Sequence, residues 1–214
     1  MGTRYEYIEK ILRLAYGTQP SDDSTISYNL VNAWLNEGIG IAIKKNYLDN
    51  TQLDGISYVN NSFYTTFKGL SLTKDSQNLY LITLPEVPVA IGYNQGVNSL
   101  RITDSNGNIS FDAVPLTINQ VTYYKSMRPI QNKLMYYSEG NSLYVLSPLQ
   151  LNVGGYTATV RLASGGDSSN LDSVLNVPSD YLPIIDDFII QKLMAEIASF
   201  QKLTDDGTDV INQK

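Results

Sequence analysis

Val177-Pro-Ser-Asp-Tyr-Leu-Pro-Ile-Ile-Asp-Asp-Phe-Ile-Ile-Gln-Lys-Leu193 carries the strongest helical signal in the chain. A helix starting near Ser179 or Pro183 and running to about Leu203 puts Leu182, Ile185, Ile189, Leu193, Ile197 and Phe200 in one seam, because residues three and four apart share a face. Ile184, Phe188, Met194 and Ala198 add a second apolar strip beside it. A helix apolar over so wide an arc is expected to be buried on more than one side. Asp186 and Asp187 diverge by about 100° on such a helix, so they cannot face each other as paired catalytic carboxylates. In its first turns they meet the positive end of the macrodipole instead.

Upstream of this helix, over residues 56–163, the period is two. Ile56–Tyr58, Phe63–Phe67 and Leu79–Leu84 read as strands, the last bounded by Pro85. Arg101–Thr103 and Ile109–Phe111 flank Asp104-Ser-Asn-Gly-Asn108, whose Asn-Gly is a strong hairpin signal. Lys133–Ser138 and Ser142–Ser147 flank Glu139-Gly-Asn141 as a second hairpin, and Tyr156–Leu162 is the last strand. Ten of the sixteen tyrosines fall between Tyr58 and Tyr156, which predicts cross-strand aromatic pairs on a half-exposed sheet.

The first fifty residues return to helical spacing. Thr3 with Glu6 fits a capping box, Tyr5, Ile8, Ile11, Leu12 and Ala15 follow, and Gly17 supplies the stop. After a turn at Gln19–Asp23, Ser24 or Ser27 caps a longer helix with Leu30, Val31, Trp34, Leu35, Ile39, Ala42 and Ile43 on a broad apolar face. Gly38 and Gly40 each weaken that helix by about 1 kcal/mol, so they call for a packing reason, and close approach of another helix is the simplest. Ser164-Gly-Gly-Asp-Ser-Ser-Asn170 reads as a flexible connector.

Composition narrows the chemistry. The 214 residues include no Cys and no His, which removes disulfide scaffolds, Cys- or His-ligated metals and every Ser-His-Asp or Cys-His device. Only 17% are charged and the net charge is −6, which argues against gripping a phosphate backbone. Residues 151–214 hold four basic and nine acidic residues, net −5, almost the whole imbalance. Asp104-Ser-Asn106-Gly-Asn108 with Asp112 imitates a calcium loop, but Ile109 replaces its glycine and Pro115 its bidentate glutamate, so a hairpin turn is the better reading. Gly38-Ile-Gly40-Ile-Ala-Ile-Lys44 lacks a third glycine and any Ser or Thr after the lysine, so helix packing outweighs phosphate binding. No catalytic, cofactor or metal site is expected. Met1–Lys10 lacks the basic flank and apolar run of a signal peptide, and no stretch has the ~18 apolar residues that span a bilayer. The expectation is a soluble protein made or assembled in the cytoplasm.

The expected fold is α+β. An N-terminal helix pair and the long C-terminal helix pack together (residues 1–54 and 177–203), with a central antiparallel β region at about 55–163 within a β-rich part (55–165) and a flexible tail at 204–214. Residues expected at packing or subunit interfaces are Leu182, Ile185, Phe188, Ile189, Leu193, Ile197, Trp34 and Gly38.

An N-terminal helix followed by a long second one (Tyr28–Lys45), the Lys133–Ser147 hairpin with its Glu-Gly-Asn turn and the Pro-initiated apolar helix resemble the ring-forming head-to-tail connectors of short-tailed phages. They are most similar to the ring proteins of crAss-like phages. The resemblance implies a non-enzymatic virion protein of the neck or tail, assembled in the host cytoplasm into a ring of identical subunits, commonly twelve. Its partners would be the portal and further neck or tail proteins, with the genome passing the lumen without specific binding and no membrane involved. A surface low in charge and rich in tyrosine and asparagine suits extensive protein contacts. The alternative is a monomeric β-rich module that binds carbohydrate on exposed tyrosines.

Overall fold

The computed structural model describes residues 2–16, 26–75, 79–92, 96–107, 109–123, 133–147, 151 and 153–208, the last ten as helical backbone. The expected stop at Gly17 and the turn at 19–23 lie outside the described residues.

Local signals act as the sequence dictates. Helix α1 (Arg4–Tyr16) opens on the capping box: the Glu6 amide donates to Thr3 Oγ1 at 3.2 Å and the Thr3 amide to Glu6 Oε2 at 2.9 Å. Helix α2 (Tyr28–Asp54) starts on Ser27, whose hydroxyl accepts from the Leu30 amide at 3.2 Å. It runs well past Lys45 and ends at Gly55 in the left-handed region. Strands β1 (Tyr64–Lys74), β2 (Tyr80–Thr83), β3 (Val97–Asp104) and β4 (Ser110–Pro115) follow, then short helix α3 (Ile118–Val121). Strands β5 (Met135–Glu139), β6 (Ser142–Leu146) and β7 (Tyr156–Ala163) lead through a 3₁₀ turn (Ser179–Tyr181) into α4 (Leu182–Thr208). Both expected hairpins form, β3 with β4 and β5 with β6. Helix α4 continues past Leu203, where the flexible tail was expected to begin; residues 209–214 lie outside the described residues.

The strands close into a barrel in the order β1-β2-β6-β5-β4-β3-β7. A closed ring in which every neighbour runs antiparallel needs an even number of strands, so seven strands force an odd pair. That pair is β4 with β5, parallel, with Val114 opposite Met135 and Pro115 opposite Tyr136. The connection between them carries α3, as a parallel crossover requires a long link. Closure falls to β1. Its first half pairs with β7, a bulge between Phe67 and Leu70 bends it, and Leu72–Lys74 pair with β2. The expected α+β arrangement, with helices packed together beside a central antiparallel β region, is therefore corrected to a closed seven-stranded barrel with helices at its ends. Alternation along a strand reports which side faces the core. It does not report whether the first and last strands meet.

Two main apolar cores result, beside a small cluster of Leu116 and Met135. The barrel interior holds Leu72, Ile82, Leu100, Ile102, Leu143, Val145, Val160 and Leu162 among others. A second core lies between the helices and the barrel end and includes Ile8, Leu12, Trp34, Leu35, Ile39, Ile189 and Leu193. Phe63, Tyr64 and Ala163, where β1 starts opposite the end of β7, belong to this second core and join the two layers. The tyrosines divide between the faces. Tyr137 and Tyr144 are register partners and stack at 5.0 Å, the expected cross-strand pair. Tyr80 and Tyr136 point inward, and the Tyr80 hydroxyl accepts from the Leu151 amide at 2.7 Å and donates to the Leu151 carbonyl at 3.0 Å.

Burial pushes the Tyr136 hydroxyl up to about 12, while it donates to the Val97 carbonyl at 3.2 Å. The folded value is raised, so stability is complete below pH 10 and is lost as pH rises toward 12, because the unfolded chain ionises first. Each pH unit between the unfolded and folded values is worth about 1.4 kcal/mol, so roughly 3 kcal/mol of unfolding free energy disappears across that window. Urea unfolding at pH 8 and pH 11.5 should show this loss, and Tyr136→Phe should reduce it.

Candidate functional site

The helical layer is built around α2, which packs against both α1 and α4. Asp186 accepts a hydrogen bond from the Tyr7 hydroxyl and pairs with Lys10 Nζ at 3.6 Å, which seats α4 beside α1. Burial, and then the bond to Asp186, push the Tyr7 hydroxyl well above its ordinary range. Leu182 meets Gly2, Thr3, Glu6 and Tyr7 around a largely apolar cleft of about 230 Å³. Contacts that advance from Leu182 near Tyr7 to Asp186 near Lys10 mean that α1 and α4 run parallel. On the other side, Ile185 and Phe188 face Gly38 of α2, and the Tyr181 hydroxyl accepts from Asn46 Nδ2 at 3.0 Å and donates to Asp49 Oδ2 at 3.2 Å. Lys192 pairs with Glu37 at 3.3 Å. Helix α2 therefore runs antiparallel to α4.

Of the residues expected at packing or interface positions, Ile185, Ile189, Leu193, Trp34 and Gly38 are buried and Leu182, Phe188 and Ile197 half-buried. A Cβ on Gly38 would lie 3.1 Å from Ile185 Cγ2 and 3.4 Å from Phe188 Cδ1, so the helices approach there as closely as glycine permits. Gly40 has nothing within 4 Å of such an atom, and the packing reason expected for it does not hold. The second strip of α4 is also unlike its expectation. Met194 is 63% exposed, Ala198 is exposed and Ile190 joins them at the surface. One side of the helix is buried and the other is open.

Sequence reasoning missed Arg4. Its side chain is fully buried. Nη1 donates to Asn32 Oδ1 at 2.8 Å and to Asn36 Oδ1 at 2.7 Å, and Nη2 also reaches Asn36 Oδ1 at 2.7 Å. Burial lowers its pKa, and the charges of Glu86 and Asp167 act in the opposite direction. Asn32 Nδ2 continues the network to the Ser168 carbonyl at 3.0 Å, and the Ser168 amide donates to Glu86. The stretch 164–170 is consequently no loose connector. Ser164, Gly165 and Gly166 are buried, and the Ser164 and Gly165 amides both donate to the Phe63 carbonyl. Gly165 has φ +66° and lies so close to α2 that a Cβ would stand 2.7 Å from Ile39 Cγ2, which leaves glycine as the residue that fits.

The calcium-like loop is a hairpin turn. The Ser105 amide donates to the Gly155 carbonyl at 2.9 Å. Asp112 sits on β4 opposite Arg101, which binds it at 2.7 Å and holds its carboxyl below the usual range. Among the described residues no group of three His, Cys, Asp or Glu side chains is placed to hold a metal, and no helix is long and apolar enough to cross a membrane.

Residues 6–210 match the family described as phage tail ring protein 2, of the crAss ring type. The chain belongs to that family, and the resemblance to crAss-like phage ring proteins is borne out. Its role is accordingly structural, as a component of a phage particle. No curated protein matches the chain.

Two substitutions separate the glycines. Gly40→Ala should stabilise by about 1 kcal/mol through helix propensity. At Gly38 crowding by Ile185 and Phe188 offsets that gain, so Gly38→Ala should be neutral to destabilising by about 1 kcal/mol. Chemical denaturation of both variants checks the difference. Ile189→Asp puts an unpaired charge at a fully buried site and should cost ~3 kcal/mol or more. A melting temperature within a degree of wild type would refute the burial of this seam.

Proposed function

We propose that the chain assembles into an oligomeric ring of identical subunits in the phage neck or tail. The ring, commonly of twelve subunits in connectors of this kind, joins the portal side of the head to the tail and leaves a lumen for the genome. Membership in a tail ring family supports the reading, and so does one structural observation. Helix α4 is apolar over a wider arc than its own chain covers, with Met194 and Ala198 left open beside a finished core. The carbohydrate-binding alternative needs exposed tyrosines on the barrel. On the strands Tyr64, Tyr80, Tyr136 and Tyr137 are buried and Tyr144 and Tyr156 half-buried; the exposed Tyr58 and Tyr123 lie outside the strands, so no described strand face presents an exposed tyrosine to a sugar.

Light scattering and native mass spectrometry, on the chain alone and mixed with its neck proteins, should give one species at an integer multiple of the 23.8 kDa subunit. A monomer under every condition contradicts the ring. A wall built from subunits of charge −6 has few cations for a polyanion, and each phosphate contact would add a log–log salt slope near −0.9. Mobility-shift titration should therefore show no duplex binding at ~150 mM salt and weak, sequence-independent retention at low salt. Tight, sequence-dependent binding contradicts the proposal.

A further inference from the structure

Gly40 has no reason inside its own chain for being glycine. It stands midway along α2, where it weakens the helix, and a Cβ there would meet nothing within 4 Å. Ile41, Lys44 and Leu48 stand three and four apart on the same side of α2, and all three are exposed. That side faces neither neighbouring helix: Gly38 turns toward Ile185 and Phe188 of α4, and Asn32 and Asn36 toward Arg4 of α1. A glycine beside exposed apolar side chains leaves a notch where a second helix can come close. From Gly38 to Leu48 the helix carries Lys44 and Lys45 and no carboxylate. Among the described residues Lys44 forms no ion pair.

The open side of α4 is its counterpart. Asp187, Ile190 and Met194 also stand three and four apart and are exposed, on the side turned away from Ile185 and Phe188 and so from α2. Among the described residues Asp187 forms no ion pair, while Lys10 is taken by Asp186 and Lys192 by Glu37. From Ser164 to Gln191 the chain holds five aspartates and no lysine or arginine. One surface is thus apolar and acidic, the other apolar and basic, and they lie on different helices of one chain.

We infer that the open side of α4 docks on the outer side of α2 of a second copy of this chain, with Asp187 against Lys44 and Ile190 over the notch at Gly40. Antiparallel helices bring both contacts into register, because Ile190 lies three residues after Asp187 and Ile41 three before Lys44. Leu48 then meets the exposed Pro183, and apolar surface is covered on both copies. Membership of a tail ring family favours an identical copy as the partner. Two different surfaces of one chain make a heterologous contact, which propagates around a ring rather than stopping at a pair. The inference rests on the ring reading and names the surfaces that build it.

Gly40→Leu separates assembly from folding. Its side chain enters open space in the free subunit, so the melting temperature should hold or rise. The filled notch should raise the concentration for half-assembly about tenfold or more. Lys44→Asp and Asp187→Lys, both at exposed sites, should each weaken assembly at ~150 mM salt, and the chain carrying both should recover it. The chain has no cysteine, so Lys44→Cys with Asp187→Cys should give, on oxidation, a ladder of covalent oligomers, and either change alone none. A ladder that stops at dimers overturns the head-to-tail contact. Unchanged assembly of Gly40→Leu and of both charge variants, with no ladder, overturns the inference while the ring stands. A wild-type chain that never assembles, alone or with its neck proteins, overturns both.

Discussion

The buried guanidinium of Arg4 constrains more of this structure than any other group. It sits in the first turn of α1, donates to two asparagine carbonyls on α2, and answers the charges of Glu86 and Asp167 on two connecting segments. A buried charge is costly unless its donors are met; Nη1 and Nη2 find Asn32 and Asn36, whereas the buried Nε has no hydrogen-bond partner among the described residues. Its hydrogen bonds tie α1 to α2, and Asn32 carries the network on to the Ser168 carbonyl. The backbone around it repeats the tie: the Arg4 amide donates to Ser173 at 3.0 Å, the Tyr5 amide to Leu171 at 2.8 Å, and Thr3 bridges Val174. The N-terminus of α1 and the segment that leads into α4 become one unit.

That unit orients α4 on the barrel. The barrel supplies a closed wall whose end carries Phe63, Tyr64 and Ala163 into the helical core. The Phe63 ring packs edge-on against Tyr181 at 5.6 Å, and Tyr181 bonds α2. Helix α4 is therefore anchored at its start by polar and aromatic contacts and along its length by Ile185, Ile189 and Leu193.

What the sequence made legible was local. The Thr3–Glu6 box, the Ser27 cap, the two Gly-containing hairpins and the Ile185–Ile189–Leu193 seam all depend on residues within a turn or two of each other. Closure was not legible, because Tyr64 and Ala163 are neighbours in the barrel while almost a hundred residues apart in the chain. Arg4 was hidden for a different reason: an arginine in the first turn of an amphipathic helix ordinarily projects into water, and nothing nearby marks Asn32 and Asn36 as its acceptors. The same network turned Ser164–Asn170 from an apparent linker into packed backbone, since glycine-rich sequence reads as flexible until a partner occupies the space it leaves. For the candidate surface, periodicity told which residues of α4 are apolar. It could not tell how many neighbours the fold would supply, and so Met194, expected inside, stands outside.

The central claim is that Arg4 fixes α1, α2 and the segment before α4 into a single platform on an independently closed barrel. Hydrogen exchange on Arg4→Met, which keeps the length and removes the charge and donors, tests it directly. Amides of the first turn of α1 and of residues 171–177 should lose most of their protection while the β5–β6 ladder keeps its own. Unchanged protection at 171–177, or an equal loss throughout the barrel strands, would contradict the account.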